Sequence, residues 1–262
     1  MKLSIITITK NSQDVIKGCL ESAKKADEII VVDDLSKDDT LKIAGKYTLK
    51  IFSHKLTSFP SQRNWAAKKA TGDWLLFLDA DERLTEKGWQ EIQQVIKQNQ
   101  PVAFRFKRQN YFHGRKIRHG GFWPDYQIRL FKRSTFKGVK GVTHEQYLYD
   151  GALGTLKQPV LHFTDRRVEL SLQKTLIWTP KEAEALFKAG HPPITWYRLL
   201  KVAIFEFFSR YIKKQGFRDG FVGFIEAFIQ AINKFFIYQQ VWELQQQKKT
   251  KAKIAKLEKE LL

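Results

Sequence analysis

Two carboxylates separated by one residue, Asp79 and Asp81, stand directly after the apolar run at 74–78. At the end of a buried strand, two such side chains can converge on one hard divalent cation, with phosphate oxygens completing its coordination. The same Asp-x-Asp triplet also arises by chance in acidic loops. Its place after a predicted strand, with Glu82 following, favours a Mg²⁺ or Mn²⁺ site with Asp79 and Asp81 as ligands.

A second acidic pair, Asp33 and Asp34, ends the neighbouring apolar run at 28–32. A carboxylate in that position can accept hydrogen bonds from a nucleotide base or ribose. Alternatively, Asp34 or Ser36 caps the helix predicted to follow, because short polar side chains satisfy the first free amides of a helix. The two roles are compatible with each other.

The segments that would position these carboxylates alternate between strand and helix patterns. Such alternation is typical of βαβ units and a mostly parallel sheet, in which ligands bind beyond the carboxyl ends of the strands. Neither a G-x-G-x-x-G nor a G-x-x-x-x-G-K-[ST] motif is present, so the usual dinucleotide and triphosphate loops are missing. The predicted strands are 3–9, 28–32, 51–52 and 74–78, and the predicted helices are 15–25, one opening at 36–40, and 61–70.

The pattern changes after Pro101. Residues 102–165 hold short strand-like pieces between glycine-rich loops, which predicts an antiparallel or irregular extension of the same domain. From about residue 168, apolar residues recur at i, i+3, i+4 and i+7, as in amphipathic helices. We therefore expect an α/β domain over 1–165, a helical region over 166–244, and a frayed or solvated basic tail over 245–262.

Charge is the unusual feature of the composition, since 46 Lys and Arg against 27 Asp and Glu give a net charge of +19. This balance implies a polyanionic partner: a nucleic acid, an anionic membrane or a phosphorylated substrate. The single cysteine, Cys19, excludes a disulfide and a zinc site built on cysteines. Neither a signal peptide nor an uncharged apolar run of about 18 residues is evident, so we expect a cytosolic protein without a membrane span.

Three segments resemble glycosyltransferase family 2 in their order and spacing: LSIITITKNS at 3–12, IIVVDDLSKDDT at 29–40 and SQRNWAAKKATGDWLLFLDADE at 61–82. Two later segments, YQIRLFKR at 126–133 and GVTHEQ at 141–146, resemble short bacterial enzymes that add sugars to the lipopolysaccharide inner core. The resemblance implies a GT-A-like fold, which is a Rossmann-like mixed sheet flanked by helices, with a C-terminal helical region. It assigns nucleotide-sugar binding to 1–100 and acceptor binding to 101–165.

The resemblance also implies roles for individual residues around the donor nucleotide. Thr7 and the pair Asp33 and Asp34 would border the base and ribose. Arg63 would lie against the base or the phosphates, and Asp79 would hold the ribose or the metal. The donor would be a nucleotide-sugar, with a UDP-sugar expected from the habit of the family.

Glu145 matches the position of the family's general base, and Asp81 that of the metal ligand. Inverting transfer needs a carboxylate to take the proton of the acceptor hydroxyl, and it needs positive charge on the departing diphosphate. A surface salt bridge is the alternative role for Glu145. His144 beside it fits an orienting histidine better than a metal ligand, because the second histidine of H-E-x-x-H is missing.

The resemblance therefore predicts a metal-dependent inverting hexosyltransferase that moves a hexose, glucose from UDP-glucose as the first choice, to a lipopolysaccharide core or related surface-glycan acceptor. The Q-x-x-R-W motif of processive members is absent, which argues against a polymer synthase. Two other readings stay open. One is a nucleotidyltransferase, and the other is a non-catalytic basic protein that binds membrane or RNA through a degenerate transferase fold.

Basic residues indicate two further contacts. Arg115, Lys116, Arg118 and Arg129 crowd a glycine-rich region and could bind a phosphorylated sugar acceptor, or form a solvated basic face. The aromatic helices over 196–240 could pack internally, or could lie on anionic headgroups at the inner face of the cytoplasmic membrane. We expect the second, with peripheral rather than spanning contact and with no specific nucleic acid.

Overall fold

The computed structural model describes residues 1–141, 145–164 and 168–261. The described chain forms two compact units. The first, called the sheet unit here, comprises Met1–Lys116 and Phe122–Thr164. The second, called the helical unit, contains Ile117–Gly121 and the described part of residues 165–262. His144, which the sequence marks as an orienting histidine, lies outside the described residues.

Twelve strands and four α-helices build the described part of the sheet unit. The strands are β1 (Leu3–Thr9), β2 (Glu28–Asp33), β3 (Ile51–Ser53), β4 (Trp74–Phe77), β5 (Glu82–Arg83), β6 (Ala103–Phe112), β7 (Arg115–Lys116), β8 (Asp125–Lys132), β9 (Phe136–Lys140), β10 (Gln146–Tyr149), β11 (Leu153–Thr155) and β12 (Val160–Thr164). The helices are α1 (Ile16–Ala23), α2 (Thr40–Ala44), α3 (Phe59–Ala67) and α4 (Glu86–Gln98), and a 3₁₀ turn covers Arg133–Thr135.

One half of the main sheet is parallel, in the order β3-β2-β1-β4. Its central strands are apolar on both faces because helices cover each side. On the side of α1 and α4 the core contains Ile5, Leu20 and Trp89, and on the other side it contains Ile6 and Phe77. This half agrees with the strands predicted from the sequence, and it brings the ends of β1, β2 and β4 to one edge.

The other half of the main sheet mixes directions, in the order β8-β6-β12-β5. Strand β8 runs antiparallel to both β4 and β6, whereas β12 runs parallel to β6. The antiparallel insertion of β8 places residues of the second half of the domain next to the end of β4. Residues far apart in sequence thereby share one edge of the sheet.

Asn64 of α3 ties a separate two-stranded sheet, β9-β10, to this framework. Its side-chain amide donates to the carbonyl oxygen of Val139 at 2.8 Å and accepts from the amide of Val139 at 2.7 Å. The side chain thus replaces a missing strand neighbour of β9. Gly138 next to it has φ +122°, and a Cβ there would lie 3.0 Å from the Asn64 oxygen. The close approach and the backbone conformation both require glycine at this position.

The start of helix α2 differs from the sequence prediction. The helix begins at Thr40 with Asp39 as the N-terminal flanking residue, and no side-chain cap is present. Asp33 instead accepts a hydrogen bond from the amide of Ser36 at 2.8 Å and so holds a turn ahead of the helix. Capping by Asp34 or Ser36 was therefore wrong, because the extra turn separates both residues from the first helical amides.

Glu28 is a buried carboxylate that joins three elements at the start of β2. It accepts hydrogen bonds from the amide of Thr71 at 2.8 Å and its hydroxyl at 2.9 Å, and also from Ser4 and Lys50. Burial by itself raises the pKa of Glu28, but these donors outweigh it and bring the pKa down to about 2. The ionised carboxylate therefore stabilises the fold.

We expect Glu28→Gln to lower the free energy of unfolding at pH 7 by roughly 2 kcal/mol, after allowance for the half-exposed Lys50. Because the folded-state pKa is depressed, this contribution is complete above the ordinary carboxyl range and is lost as the pH falls towards 2. Urea unfolding at a series of pH values should therefore show wild type and variant converging in acid. Asp150→Asn, at an exposed ion pair with Lys137, is the control and should change little at any pH. If the difference in unfolding free energy between wild type and Glu28→Gln stayed constant down to pH 2, the prediction would be contradicted.

The helical unit contains α5 (Val168–Lys188), α6 (Trp196–Phe208) and α7 (Gly220–Leu261), joined after α6 by a π-helical turn (Ser209–Lys213) and a 3₁₀ turn (Gly216–Asp219). A small core of Ala183, Ile194, Ile237 and Val241 holds it together. The helical pattern was predicted correctly. The segment 245–262, predicted to be frayed or solvated, continues α7 to Leu261 and is exposed over 251–258. In the described residues one segment, Gly216–Gln247, is long and apolar enough to cross a bilayer by length and composition, and a third of its most apolar window is buried inside the protein.

Candidate active site

At the end of β4, two buried arginines contact two partly exposed carboxylates. Asp79 Oδ1 lies 2.8 Å from Arg63 Nη2, and Asp79 Oδ2 lies 3.1 Å from Arg129 Nη2. The same two guanidinium groups contact Glu145, with Arg63 Nε at 3.0 Å and Arg129 Nη1 at 3.3 Å. The hydroxyl of Tyr147 donates to Glu145 Oε2 at 3.3 Å. These five residues are called the arginine–carboxylate cluster below.

Four different elements supply the cluster. Helix α3 contributes Arg63, the β4 end contributes Asp79, and β8 contributes Arg129. Glu145 directly precedes β10, which pairs with the strand held by Asn64. The antiparallel course of β8 is what brings Arg129 beside the strand end.

Burial and neighbouring charges have opposite effects on the pKa of the Asp79 carboxyl within the cluster. Burial alone raises the pKa of Asp79, but the charges of Arg63 and Arg129 outweigh it and hold the pKa well below its usual range. Burial raises the pKa of Tyr147 to about 12, so its phenol is a proton donor at neutral pH. Arg63 Nη1 and Arg129 Nε are buried without a hydrogen-bond partner among the described residues. Unsatisfied buried donors are costly, so these two guanidinium groups are incompletely paired by the protein.

Asp81, two residues after Asp79, faces His162 of β12. Its Oδ2 is 3.2 Å from His162 Nε2, and His162 Nδ1 is 2.7 Å from Asn110 Oδ1. The amide nitrogen of Asn110 donates to Phe122 and Asp125, which leaves Oδ1 as the atom that faces the imidazole. This network assigns a proton to Nδ1 and points Nε2 at a carboxylate oxygen. The position between Nε2 and Oδ2 can hold a proton that Nε2 donates, or a cation in its place.

This donor set fits a divalent cation with two protein ligands. The carboxylate oxygen suits Mn²⁺ or Mg²⁺, and the imidazole nitrogen suits Mn²⁺ better than Mg²⁺, while substrate phosphates usually complete the shell of these ions. Among residues 1–141, 145–164 and 168–261, no group of three or more His, Cys, Asp or Glu is arranged to hold a metal. Each oxygen of Asp79 accepts a hydrogen bond from an arginine, whereas Asp81 Oδ2 lies 3.2 Å from His162 Nε2, which makes His162 a candidate second ligand beside Asp81.

Glu82 stabilises the turn that carries Asp79 and Asp81. Its Oε2 accepts from the amide of Asp79 at 3.1 Å, and its own amide donates to the Asp79 carbonyl at 2.8 Å. The side chain is fully buried, and burial followed by the charge of Asp79 raises its pKa. Glu82 therefore fixes the backbone at the end of β4.

Thr7, Asp33 and Asp34 lie at the neighbouring strand ends but not in the cluster. The hydroxyl of Thr7 packs 3.8 Å from the sulfur of buried Cys19, beneath the sheet. Asp33 holds the turn at Ser36, and Asp34 pairs with Lys10 at 2.7 Å. Their predicted contacts with a base and ribose stay predictions.

Within the sheet unit, the basic residues predicted to bind an acceptor phosphate are in different surroundings. Arg129 is buried in the cluster, whereas Arg115 and Lys116 are exposed on β7. The sequence reasoning also missed His162. The surrounding residues Val-Leu-His-Phe-Thr have the pattern of a strand and give no sign of a ligand. The proximity of His162 to Asp81 follows only from the position of β12 in the sheet.

The family described as Glycosyl transferase family 2 matches residues 4–151, a range that contains the whole arginine–carboxylate cluster. The chain belongs to glycosyltransferase family 2. Its mixed sheet with flanking helices is the GT-A fold, so the family and the fold predicted from the sequence motifs are both confirmed. Membership does not favour the nucleotidyltransferase or the non-catalytic binding protein.

Relatives of this family 2 glycosyltransferase include proteins of similar length. It is 28% identical over 257 residues to an "Uncharacterized glycosyltransferase" of Rickettsia bellii, covering 93% of this chain and 87% of the relative. It is 23% identical to the lipopolysaccharide core biosynthesis glycosyltransferase LpsC of Rhizobium meliloti, covering 93% of each chain. Among solved structures, S. aureus TarS 1-349 in complex with UDP-GlcNAc aligns with 94% of this chain and 92% of its own, at 19% identity and a TM-score of 0.47.

Proposed function

We propose that this glycosyltransferase catalyses the metal-dependent, inverting transfer of a hexose from a UDP-sugar, with UDP-glucose as the first candidate. The proposed acceptor is a lipid-linked or phosphorylated glycan of the lipopolysaccharide core type. The name of the LpsC relative supports the acceptor class. The observation that carries the reaction is the arginine–carboxylate cluster at the end of β4, next to the Asp81–His162 pair.

Asp81 and His162 would hold the metal ion in this proposal, and Asn110 would orient the imidazole. The bound ion would neutralise charge that develops on the departing diphosphate. An imidazole whose other nitrogen donates to a fixed oxygen is the usual arrangement for a ligating histidine. The hydrogen bond from His162 to Asn110 at 2.7 Å supplies that orientation here.

Glu145 would act as the general base, with Oε1 as the reactive oxygen. Oε2 receives hydrogen bonds from Arg63, Arg129 and Tyr147, whereas Oε1 receives one, from Arg63. A carboxylate oxygen can accept more than one hydrogen bond, so Oε1 retains capacity for an acceptor hydroxyl. In-line attack of that hydroxyl would form the new glycosidic bond as the bond from the anomeric carbon to the diphosphate breaks and UDP leaves. This displacement would invert the anomeric configuration, and the hydroxyl proton would pass to Glu145.

Arg63 and Arg129 would set the spacing between donor and base. Each contacts both Asp79 and Glu145, so their planar guanidinium groups fix the two carboxylates relative to each other. Their unpartnered N–H groups are suited to oxygens of the diphosphate or sugar. Holding reactants in this way is worth several orders of magnitude in rate.

Calorimetric titration of UDP, GDP, ADP and CMP, with and without Mn²⁺, tests the donor site. We expect UDP to bind with an affinity that Mn²⁺ raises at least about tenfold, and we expect Asp81→Ala and His162→Ala to abolish that dependence. Asp150→Asn, away from the site, is the matched control and should bind like the wild type. Failure of every nucleotide to bind folded protein would overturn the proposal. Binding without any effect of Mn²⁺ would overturn the metal site.

A further inference from the structure

Helix α6 is strongly apolar, yet it buries none of its residues. Ten of its 13 residues are apolar or aromatic, and no residue of the helix is buried. Trp196 is 77% exposed and Phe205 67% exposed. A helix on a soluble protein normally turns one apolar stripe towards a core and shows polar residues outside. One side of α6 is half-buried against α7, and the apolar residues on its other side are left exposed.

The exposed apolar surface continues from α6 onto the following turns and the start of α7. Phe224 lies 5.7 Å, ring to ring, from Phe207 of α6 and from Tyr211 of the π-helical turn. Further exposed members of this surface are Tyr197, Leu200, Ile204, Phe208, Ile212, Phe217, Phe221 and Phe228. A continuous apolar surface of this kind marks a binding surface, whereas scattered exposed apolar residues do not. We call the surface formed over 196–228 the aromatic face.

Positive charge accompanies the aromatic face. Residues 196–228 contain six Lys and Arg against three carboxylates, and none of the three carboxylates is free. Glu206 pairs with Arg210 at 2.6 Å, Asp219 accepts from His119 at 2.8 Å, and Glu226 is buried. Four basic side chains are exposed: Lys201, Lys213, Lys214 and Arg218. The unbalanced charge next to the aromatic face is therefore positive.

The turn that joins α6 to α7 is held firmly. Asp219 accepts the amides of Arg118 and His119 at 3.0 and 2.7 Å. Gly120 donates to the carbonyl of Lys214 at 2.8 Å and accepts from Arg210 at 3.0 Å. The aromatic side chains on this turn are thus presented by an ordered scaffold and not by a frayed end.

We propose that the aromatic face binds the interface of an anionic phospholipid bilayer, with α6 parallel to the membrane surface. The aromatic and aliphatic side chains would lie below the headgroups, and the exposed lysines and arginine would contact lipid phosphates. The charge excess selects this partner over a second copy of the chain, because two such faces would repel each other. At 13 residues, α6 is too short to span a bilayer, which needs about 20. The inference does not depend on the proposed reaction.

Vesicle flotation of the full chain tests the inference without any substrate. The probes are vesicles of phosphatidylcholine with one quarter phosphatidylglycerol, and vesicles of phosphatidylcholine alone. We expect the protein to float with the anionic vesicles, and we expect its binding to weaken with added salt. Lys213→Gln should lower the partition coefficient about fivefold. Lys46→Gln, at an exposed lysine of the sheet unit, should not change it.

Phe205→Ser combined with Phe208→Ser tests the apolar part, and we expect more than a tenfold loss of partitioning. Both side chains are exposed, so the fold should be kept, which circular dichroism can verify. Leu49→Ser, at a leucine that is 96% exposed elsewhere, is the control. Equal binding by the double variant would overturn the inference. So would a dimer that buries the face without binding vesicles, or protein that resists extraction by alkaline carbonate as a spanning helix does.

Discussion

Glu145→Gln is expected to lower the turnover number for sugar transfer by about 10²- to 10⁴-fold, the usual contribution of a general base. The amide keeps the size of the side chain and one carbonyl oxygen, but it cannot take the proton of an acceptor hydroxyl. Single-turnover transfer from UDP-glucose, measured beside calorimetric UDP binding, separates chemistry from donor affinity. We expect donor binding within a factor of a few of the wild type.

A purely structural role for Glu145 gives a different result. If the carboxylate only anchors Arg63 and Arg129, the amide should weaken UDP binding and stability and leave turnover within about tenfold. Glu145→Asp adds a second test, since it keeps the proton acceptor but shortens its reach. It should retain more turnover than the glutamine variant if Glu145 is the base, and not otherwise.

Asp79→Ala is expected to lower the free energy of unfolding by about 3–5 kcal/mol, because it leaves two buried guanidinium groups with Glu145 as their common counter-charge. Arg63 and Arg129 are each about 95% buried at the side chain, so their guanidinium groups are poorly hydrated once the carboxylate is lost. Urea unfolding monitored by tryptophan fluorescence measures the change. Asp150→Asn, at an exposed pair in the same unit, should cost less than about 1 kcal/mol.

The combined variant Asp79→Leu with Arg129→Met distinguishes lost charge balance from lost packing. Replacing both partners of a buried pair with apolar residues of similar size often costs little, whereas removing one partner costs much. We therefore expect the combined variant to be more stable than Asp79→Ala. If it is equally unstable, the ion pairs are not the source of the effect, and the prediction is wrong.

The parallel half of the sheet was predicted well because each of its strands is recognisable from its own run of residues, without knowledge of tertiary contacts. The runs at 3–9, 28–32 and 74–78 are long, apolar and β-branched, and they became β1, β2 and β4. The Asp-x-Asp pair was placed at a strand end by the same reasoning. A helix forms its backbone hydrogen bonds within one segment, so its sequence pattern is also local. The apolar stripes after residue 168 therefore indicated helices correctly.

The partners within the site could not be predicted in this way, since they are set by tertiary contacts. Arg63 and Glu145 are 82 residues apart in sequence, and the contact depends on how β8, β9 and β10 fold back. His162 meets Asp81 only because β12 pairs with β6. Sequence spacing carries no signal for such contacts. The sequence also carries no sign that Arg129 is buried in ion pairs and not exposed like Arg115 and Lys116.

The hydrogen bonds between Asn64 and Val139 have a mechanical consequence for the reaction. Arg63 precedes Asn64 on α3, and Glu145 leads into β10, the partner of the strand that Asn64 holds. Arg63 and Glu145, the proposed base, are therefore connected through one side-chain bridge between α3 and the β9–β10 pair. If Glu145 is the base, this bridge sets its separation from Arg63 before any substrate binds, as preorganised catalysis requires.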